Sequence, residues 1–194
     1  MNDFVVVNDH PDMIKYVDYL QRKNAENLSF YPLQVFEREK KNGRIFLGLL
    51  NNHPCGYLYV GSGGRDVKCH QICIQYDARR KLYGAILYQR LEQYAIDHSS
   101  FSITLRCGFD LEANQFWKEM GFNVIKIEDG GIRRRRKINI WRKYLQKQLF
   151  EDEILIPSVG KTDSSIWMKN KQVGLISQFA RKNKIKEYRK IVEK

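Results

Sequence analysis

The sequence is poor in anything that would cross a membrane, form a disulfide framework or cage a metal. Its longest apolar runs, such as Val5-Val6-Val7 and Ile45-Phe46-Leu47-Gly48-Leu49-Leu50, fall far short of the roughly 20 residues a bilayer-spanning helix needs. Met1-Asn2-Asp3 puts no basic segment ahead of an apolar stretch, so no export leader is visible and a cytoplasmic location is expected. The only four cysteines, Cys55, Cys69, Cys73 and Cys107, form no C-x-x-C pair, and His70 is the one imidazole near them. Zinc wants closely spaced ligand pairs, so the expectation is no metal site and buried or half-buried free thiols. No Ser-His-Asp or Cys-His pattern comes with a nucleophile-elbow motif. Gly61-x-Gly63-Gly64 follows a strand but leads into no helical sequence, which argues against a dinucleotide fingerprint. Internal repeats and low-complexity tracts are also missing.

What is present suits a globular chain. The 194 residues, 43% hydrophobic and 29% charged, allow one buried domain of about 150 residues with an appendage. The formal charge of +12 is unevenly spread. Arg133, Arg134, Arg135, Arg136 and Lys137 form an uninterrupted basic run. Residues 181–194, including Arg181, Lys182 and Lys184, hold seven basic and two acidic residues. Such concentrations favour nucleic acid, acidic proteins or phosphorylated ligands, or serve as a solubilising surface.

Periodicity gives the element order β-α-α-β-β-β-α-β-α-β-β over residues 1–146, with a basic, partly helical extension at 147–194. Asp3–Asn8 reads as a strand. A helix capped by Asp9 or Asp12 follows, with Met13, Ile14, Val17 and Leu20 on one face. A second helix runs from near Pro32 to Gly43. Arg44–Leu50 and Cys55–Gly61 form a hairpin around Asn51-Asn52-His53-Pro54. Lys68–Tyr76 alternates, placing His70, Ile72, Ile74 and Tyr76 on one face. The helix after it carries Leu87, Leu91, Tyr94 and Ala95 on a stripe. Phe101–Cys107 is a strand, Glu112–Met120 a helix ended by Gly121, and Phe122–Ile127 and Lys137–Leu145 are the last strands. A basic helix is expected from about Lys171 to Val192.

Chemistry concentrates where the strand ending near Tyr76 meets the helix starting near Leu82. A helix N-terminus offers free N–H groups and the positive end of its dipole to a pyrophosphate. Gly84 lets backbone approach an anion, and Arg79, Arg80 and Lys81 add positive charge. An ordinary strand–helix connection with surface arginines would look the same in isolation.

Its context is more telling. Arg79-Arg80-Lys81-Leu82-Tyr83-Gly84 resembles the Arg/Gln-x-x-Gly-x-Gly/Ala loop of the GNAT (GCN5-related N-acetyltransferase) superfamily, with Leu82 replacing the first glycine; the register Arg80 to Ala85 fits equally. Ala113-Asn114-Gln115-Phe116-Trp117-Lys118-Glu119-Met120-Gly121-Phe122 resembles the family's second signature. The stretch from His70 to Leu145 is similar to a phage-associated branch, with possible kinship to Mom-type DNA-modifying proteins. The resemblance implies an α/β fold, a mixed but mostly antiparallel sheet of six to seven strands flanked by about four helices and split into a V after the fourth strand. It also implies acetyl-CoA as cofactor. Backbone groups of Ile74, Gln75 and Tyr76 would hold the pantetheine arm and N–H groups from Arg79 to Ala85 the pyrophosphate. Asn114, Phe116 and Trp117 would line the far side.

Two departures bear on catalysis. Many relatives carry a tyrosine that protonates the departing thiolate where this chain has Trp117, and an asparagine where it has Asp110. Tyr83 and Tyr76 are candidate acids by location. Asp110, Glu112 and His70 are candidate bases, Asp110 first. Helix capping, a first-turn dipole contact and strand packing are their respective structural alternatives. Three functions compete: acetyl transfer to an amine-bearing small molecule or protein, modification of a DNA or RNA base, and a non-catalytic binding module. Oligomeric state is open.

Overall fold

The computed structural model describes residues 4–131 and 136–145. Arg133, Arg134, Arg135, Arg181, Lys182, Lys184, the extension 147–194 and its expected helix all lie outside these described residues. The elements are β1 Phe4–Val7, α1 Met13–Lys23, α2 Leu33–Lys41, β2 Ile45–Leu50, β3 His53–Val60, β4 Asp66–Ile74, a 3₁₀ turn Tyr76–Ala78, α3 Tyr83–Asp97, β5 Ser102–Gly108, α4 Ala113–Glu119, β6 Asn123–Asp129 and β7 Lys137–Tyr144. They form one seven-stranded sheet in the order β1-β2-β3-β4-β5-β7-β6. Among the described strands only β4 and β5 run parallel.

Two apolar layers sandwich the sheet. On one face α1 and α2 bury Met13, Val17, Leu20 and Phe36 against Ile45, Leu47, Tyr57 and Tyr59. On the other, α3 and α4 bury Leu87, Leu91, Trp117 and Met120 against Leu58, Val67, Ile103, Leu105 and Trp141. Leu87 and Leu91 are fully enclosed, each stabilising the fold by roughly 1.5–3 kcal/mol through removal from water. The periodic helix positions Met13, Val17, Leu20, Leu87, Leu91, Tyr94 and Ala95 are therefore core positions. No helix among the described residues is long and apolar enough to cross a membrane.

Local chemistry changes several expected details. Asn51 and Asn52 take φ of 50° and 64°, a left-handed pair that asparagine tolerates and a two-residue hairpin needs. The β2–β3 turn is thus shorter than expected, and β3 starts at His53. Asp12 occupies the α1 N-cap position, but its side chain makes no capping bond. The register of β3 with β4 slips between Tyr59 and Val60, whose partners are Gln71 and Cys69. His70 is the extra residue of a bulge, so it turns to the α1–α2 side instead of sharing a face with Ile72 and Ile74. Strand β4 ends at Ile74, and Tyr76 is an exposed residue of the 3₁₀ turn.

One topological feature matters most. Strands β4 and β5 pair only over Asp66–Cys69 with Ser102–Leu105. Beyond that, β3 holds β4 as far as Ile74 and β7 holds β5 as far as Gly108. The two facing edges separate, and the sheet opens at the carboxyl ends of both strands. That is where open α/β sheets receive ligands.

Candidate active site

The bank formed by β4 leads into α3. Arg80 and Leu82 hold φ of 61° and 67°, the left-handed region that L-residues enter at a cost of roughly 1–2 kcal/mol each. Alternating right- and left-handed residues turn successive N–H groups to one side as an anion-binding concavity. The first α3 amides bonded inside the chain are Ala85 and Ile86, both donating to the Leu82 carbonyl. The N–H groups of Arg80, Lys81, Leu82, Tyr83 and Gly84 have no partner among the described residues. A Cβ on Gly84 would meet only Phe116 and Ile74 at ordinary contact, 3.5 Å or more. Internal packing therefore does not demand glycine there.

Side chains brace this loop. Arg79 Nε donates to the Ile74 carbonyl at 3.1 Å, and its Nη2 reaches Asn24 Oδ1 at 2.6 Å. The Gln75 N–H is committed to the Cys55 carbonyl, and Tyr16 donates its hydroxyl to Gln75 Oε1 at 2.9 Å. Burial pushes the Tyr16 hydroxyl well above its usual range, with Cys55 and Cys73 adding to it.

The β5 bank ends in Phe109, Asp110, Leu111 and Glu112. Arg80 crosses the opening to Glu112 at 2.9 Å, both side chains more than four-fifths exposed. Such a pair contributes under about 1 kcal/mol and yields readily to a better anion. Arg136 lies over Gly108, pairs with Asp110 at 3.2 Å and donates to the Glu26 carbonyl in the α1–α2 loop at 3.2 Å. Asp110 and Arg136 thus meet at the end of β5, while Glu112 faces the phosphate-type loop.

Other expected site residues have mainly structural contacts. Asn114 Nδ2 lies within bonding distance of the Gly108, Phe109 and Leu111 carbonyls. Its Oδ1 accepts from Asn139 Nδ2 and Trp141 Nε1. Trp117 is buried edge-on against Phe116 and Phe122. Tyr83 is buried and stacked on Phe4, centroids 4.6 Å apart. His70 stacks on Tyr59 at 4.5 Å and bonds the Tyr31 hydroxyl at 3.0 Å. Desolvation and then the Lys68 charge push His70 down to about 4, so it is neutral at neutral pH. All four cysteines are buried and free. Burial raises the Cys55, Cys73 and Cys107 thiols to about 11 and Cys69 to about 12, which leaves no thiolate nucleophile.

Sequence reasoning missed Tyr16, Asn24, Glu26, Asn139 and Trp141. Each reaches the opening through a contact remote in sequence, so no local pattern marks it.

A model of the acetyltransferase (GNAT) family matches residues 12–122. Ard1 from Thermoplasma volcanium is similar in structure, with TM-score 0.67 at 13% identity over 74% of this chain and 99% of that one. So is the ribosomal-protein-S18-alanine N-acetyltransferase from Escherichia coli, with TM-score 0.63 at 12% identity over 78% and 99%. A third is yncA from Salmonella typhimurium, solved with its cofactor acetyl-CoA, with TM-score 0.65 at 12% identity over 78% and 99%. At these identities the likeness is one of fold. No curated protein matches the sequence significantly.

Proposed function

The chain belongs to the acetyltransferase (GNAT) family, and from that premise we propose that it moves an acetyl group from acetyl-CoA to an amine acceptor. The observation carrying this reading is the row of five N–H groups from Arg80 to Gly84, without a partner among the described residues, beside the parted strands. They suit a diphosphate: anionic, and wanting donors where the α3 dipole is positive. The left-handed Leu82 also favours the loop register Arg79 to Gly84, since Leu82 then holds the position where relatives carry a conformationally free glycine.

When bound, acetyl-CoA supplies the thioester carbonyl. The chain's own work is mainly positioning, because a held amine and carbonyl gain most of their rate from proximity. Arg79 fixes the end of β4. Arg80 is free to exchange Glu112 for a phosphate oxygen. In this reading Asp110, whose carboxylate pairs with Arg136, takes a proton from the incoming ammonium. Trp117 has no acidic hydroxyl and Tyr83 is packed away on Phe4, so the departing thiolate takes its proton from Tyr76 or from water.

A second reading, base modification on nucleic acid by a relative of the phage-associated branch, draws its support from Arg136 and Lys137 at the mouth. Release of CoA thiol, followed with panels of amino-terminal peptides, polyamines and oligonucleotides, tests both. Acceptor-dependent release lost in Asp110→Asn supports transfer; no release with any amine at saturating acetyl-CoA removes the enzymatic reading.

A further inference from the structure

Helices α1 and α2 pack on β2 and β3, and α3 and α4 lie on the opposite face. The α1–α2 side of the β5-β7-β6 half therefore carries no helix among the described residues. The strand registers fix what lies on this bare face. One row runs Asp66, Ser102, Tyr144; the next runs Lys68, Thr104, Arg142, Asn123. A third runs Arg106, Ile140, Lys126, and a fourth Gly108, Ile138, Glu128. Burial agrees on β5 and β7, where the intervening Ile103, Leu105, Cys107, Asn139 and Trp141 are enclosed; Ser102 on the face is itself buried, and the intervening Val124 and Ile127 of β6 are exposed. Rows stand about 6.8 Å apart and strands about 4.8 Å apart, so the side chains form a lattice, with a register shift on β6 between Val124 and Lys126.

The lattice is cationic and undercompensated. Lys68 and Arg142 have no carboxylate within ion-pair distance among the described residues, while Arg106 and Lys126 share one carboxylate, Glu128, at 3.0 Å each. Asp66 is bonded to Ser102. At one end an aromatic step is interleaved with arginines. Tyr144, half exposed, packs edge-on to Phe101 at 5.2 Å, Arg142 stands 5.9 Å from the Tyr144 centroid, and Arg65 stands 5.9 Å from that of Phe101. At the other end the rows run down to Gly108, beneath Arg136.

We infer that this bare sheet face binds single-stranded nucleic acid, with Lys68, Arg106, Lys126 and Arg142 on phosphates and Tyr144 as a stacking platform. A duplex would present its backbone but no base faces, leaving Tyr144 without a role. An acidic polypeptide would use the cations but not the open ring. A flexible strand uses both, the combination by which sheet surfaces hold single strands without sequence preference.

The test measures fluorescence anisotropy of labelled oligothymidylate and oligouridylate with the full chain at about 50 mM salt, a concentration at which phosphate contacts are strong. Three variants are compared: Lys68→Gln/Lys126→Gln, Tyr144→Ala, and a charge-matched control, Lys15→Gln/Lys41→Gln. Melting temperature checks that each is folded. The double face variant is expected to lower the salt slope by about 1.4, at roughly 0.7 per phosphate on a single strand. Tyr144→Ala is expected to weaken binding about tenfold through lost stacking, and the control to bind like the parent. Absence of binding overturns the inference. So do face variants that bind like the parent, or tighter binding of polyglutamate than of the oligonucleotides. Acetyl-CoA affinity of the same variants is expected to be unchanged, so this inference and the acetyl-transfer reading fail separately.

Discussion

Arg136 joins the two banks of the parted sheet: its guanidinium pairs with Asp110 at 3.2 Å and donates to the Glu26 carbonyl at 3.2 Å. Glu26 belongs to the α1–α2 loop on the β4 side, whereas Asp110 follows β5. Arg136 thus spans the opening alongside the Arg80–Glu112 pair and holds the Asp110 carboxylate.

The two partners should separate kinetically. Asp110→Asn keeps the shape but cannot take a proton, and is expected to lower kcat by about 10²–10⁴-fold, the usual worth of a placed base, with acetyl-CoA affinity unchanged. Arg136→Ala frees both banks and is expected to raise the acceptor KM more than it lowers kcat. Steady-state kinetics on an acceptor from the peptide, polyamine and oligonucleotide panels check both; an unchanged kcat in Asp110→Asn removes Asp110 from the reaction.

Leu82 carries backbone strain that glycine would relieve. Leu82→Gly is expected to stabilise the chain by about 1 kcal/mol, the cost of a left-handed L-residue less the extra entropy of glycine. The readout is a melting temperature a few degrees higher. A lower one would show that the half-buried leucyl side chain outweighs the strain.

Asn114 links α4 to β5 and β7. Asn114→Ala leaves Asn139 Nδ2 and Trp141 Nε1 without their acceptor inside the fold. Two enclosed donors losing their bonds cost about 3 kcal/mol. Chemical denaturation should report that loss, with a tryptophan emission change marking Trp141. A cost near zero would mean that water replaces the side chain.

Acid should unfold this protein through His70. Its folded value of about 4 lies below the ordinary 6.5, so the unfolded chain binds more protons between those values and stability falls as pH drops through that window. It is fully present above pH 6.5. Discounted for the ring's partial solvent contact, the loss by pH 4 is about 2 kcal/mol. Glu39, though its burial opposes ionisation, is held below its ordinary 4.5 by bonds from Arg38, Asn42 and Arg44, and extends the loss to lower pH. His70→Gln is expected to flatten melting temperature against pH between 6.5 and 4.5; an unchanged slope would assign the acid sensitivity elsewhere.

Much of the fold is legible because burial imposes periods. Met13, Val17 and Leu20 recur at helical spacing, as do Leu87 and Leu91, and all are enclosed. Period-two reasoning failed at His70, where a bulge turns the ring toward Tyr31; nothing between Lys68 and Ile74 announces it, because the slip is set by pairing with β3. The phosphate-type loop was visible through Arg79, Arg80 and Gly84. Its left-handed Leu82 was not, since leucine, unlike glycine or asparagine, does not signal that conformation. Asn114 was expected toward the cofactor, yet its bonds run to Asn139 and Trp141, which only the β5–β7 register brings near. The reach of Arg136 to Glu26 has the same character: a contact made by topology across most of the chain.

Acetyl-CoA binding here depends on the amides from Arg80 to Gly84 receiving its diphosphate, and calorimetric titration of acetyl-CoA into the parent and Gly84→Asp tests this most directly. The parent is expected to bind one equivalent and, at 100 times the dissociation constant, to gain about 2.7 kcal/mol of stability. Gly84→Asp, whose carboxylate faces the same donors, is expected to fold and not bind. Parent protein that shows no heat and no melting shift with millimolar acetyl-CoA, or a Gly84→Asp variant that binds as tightly as the parent, would contradict the account.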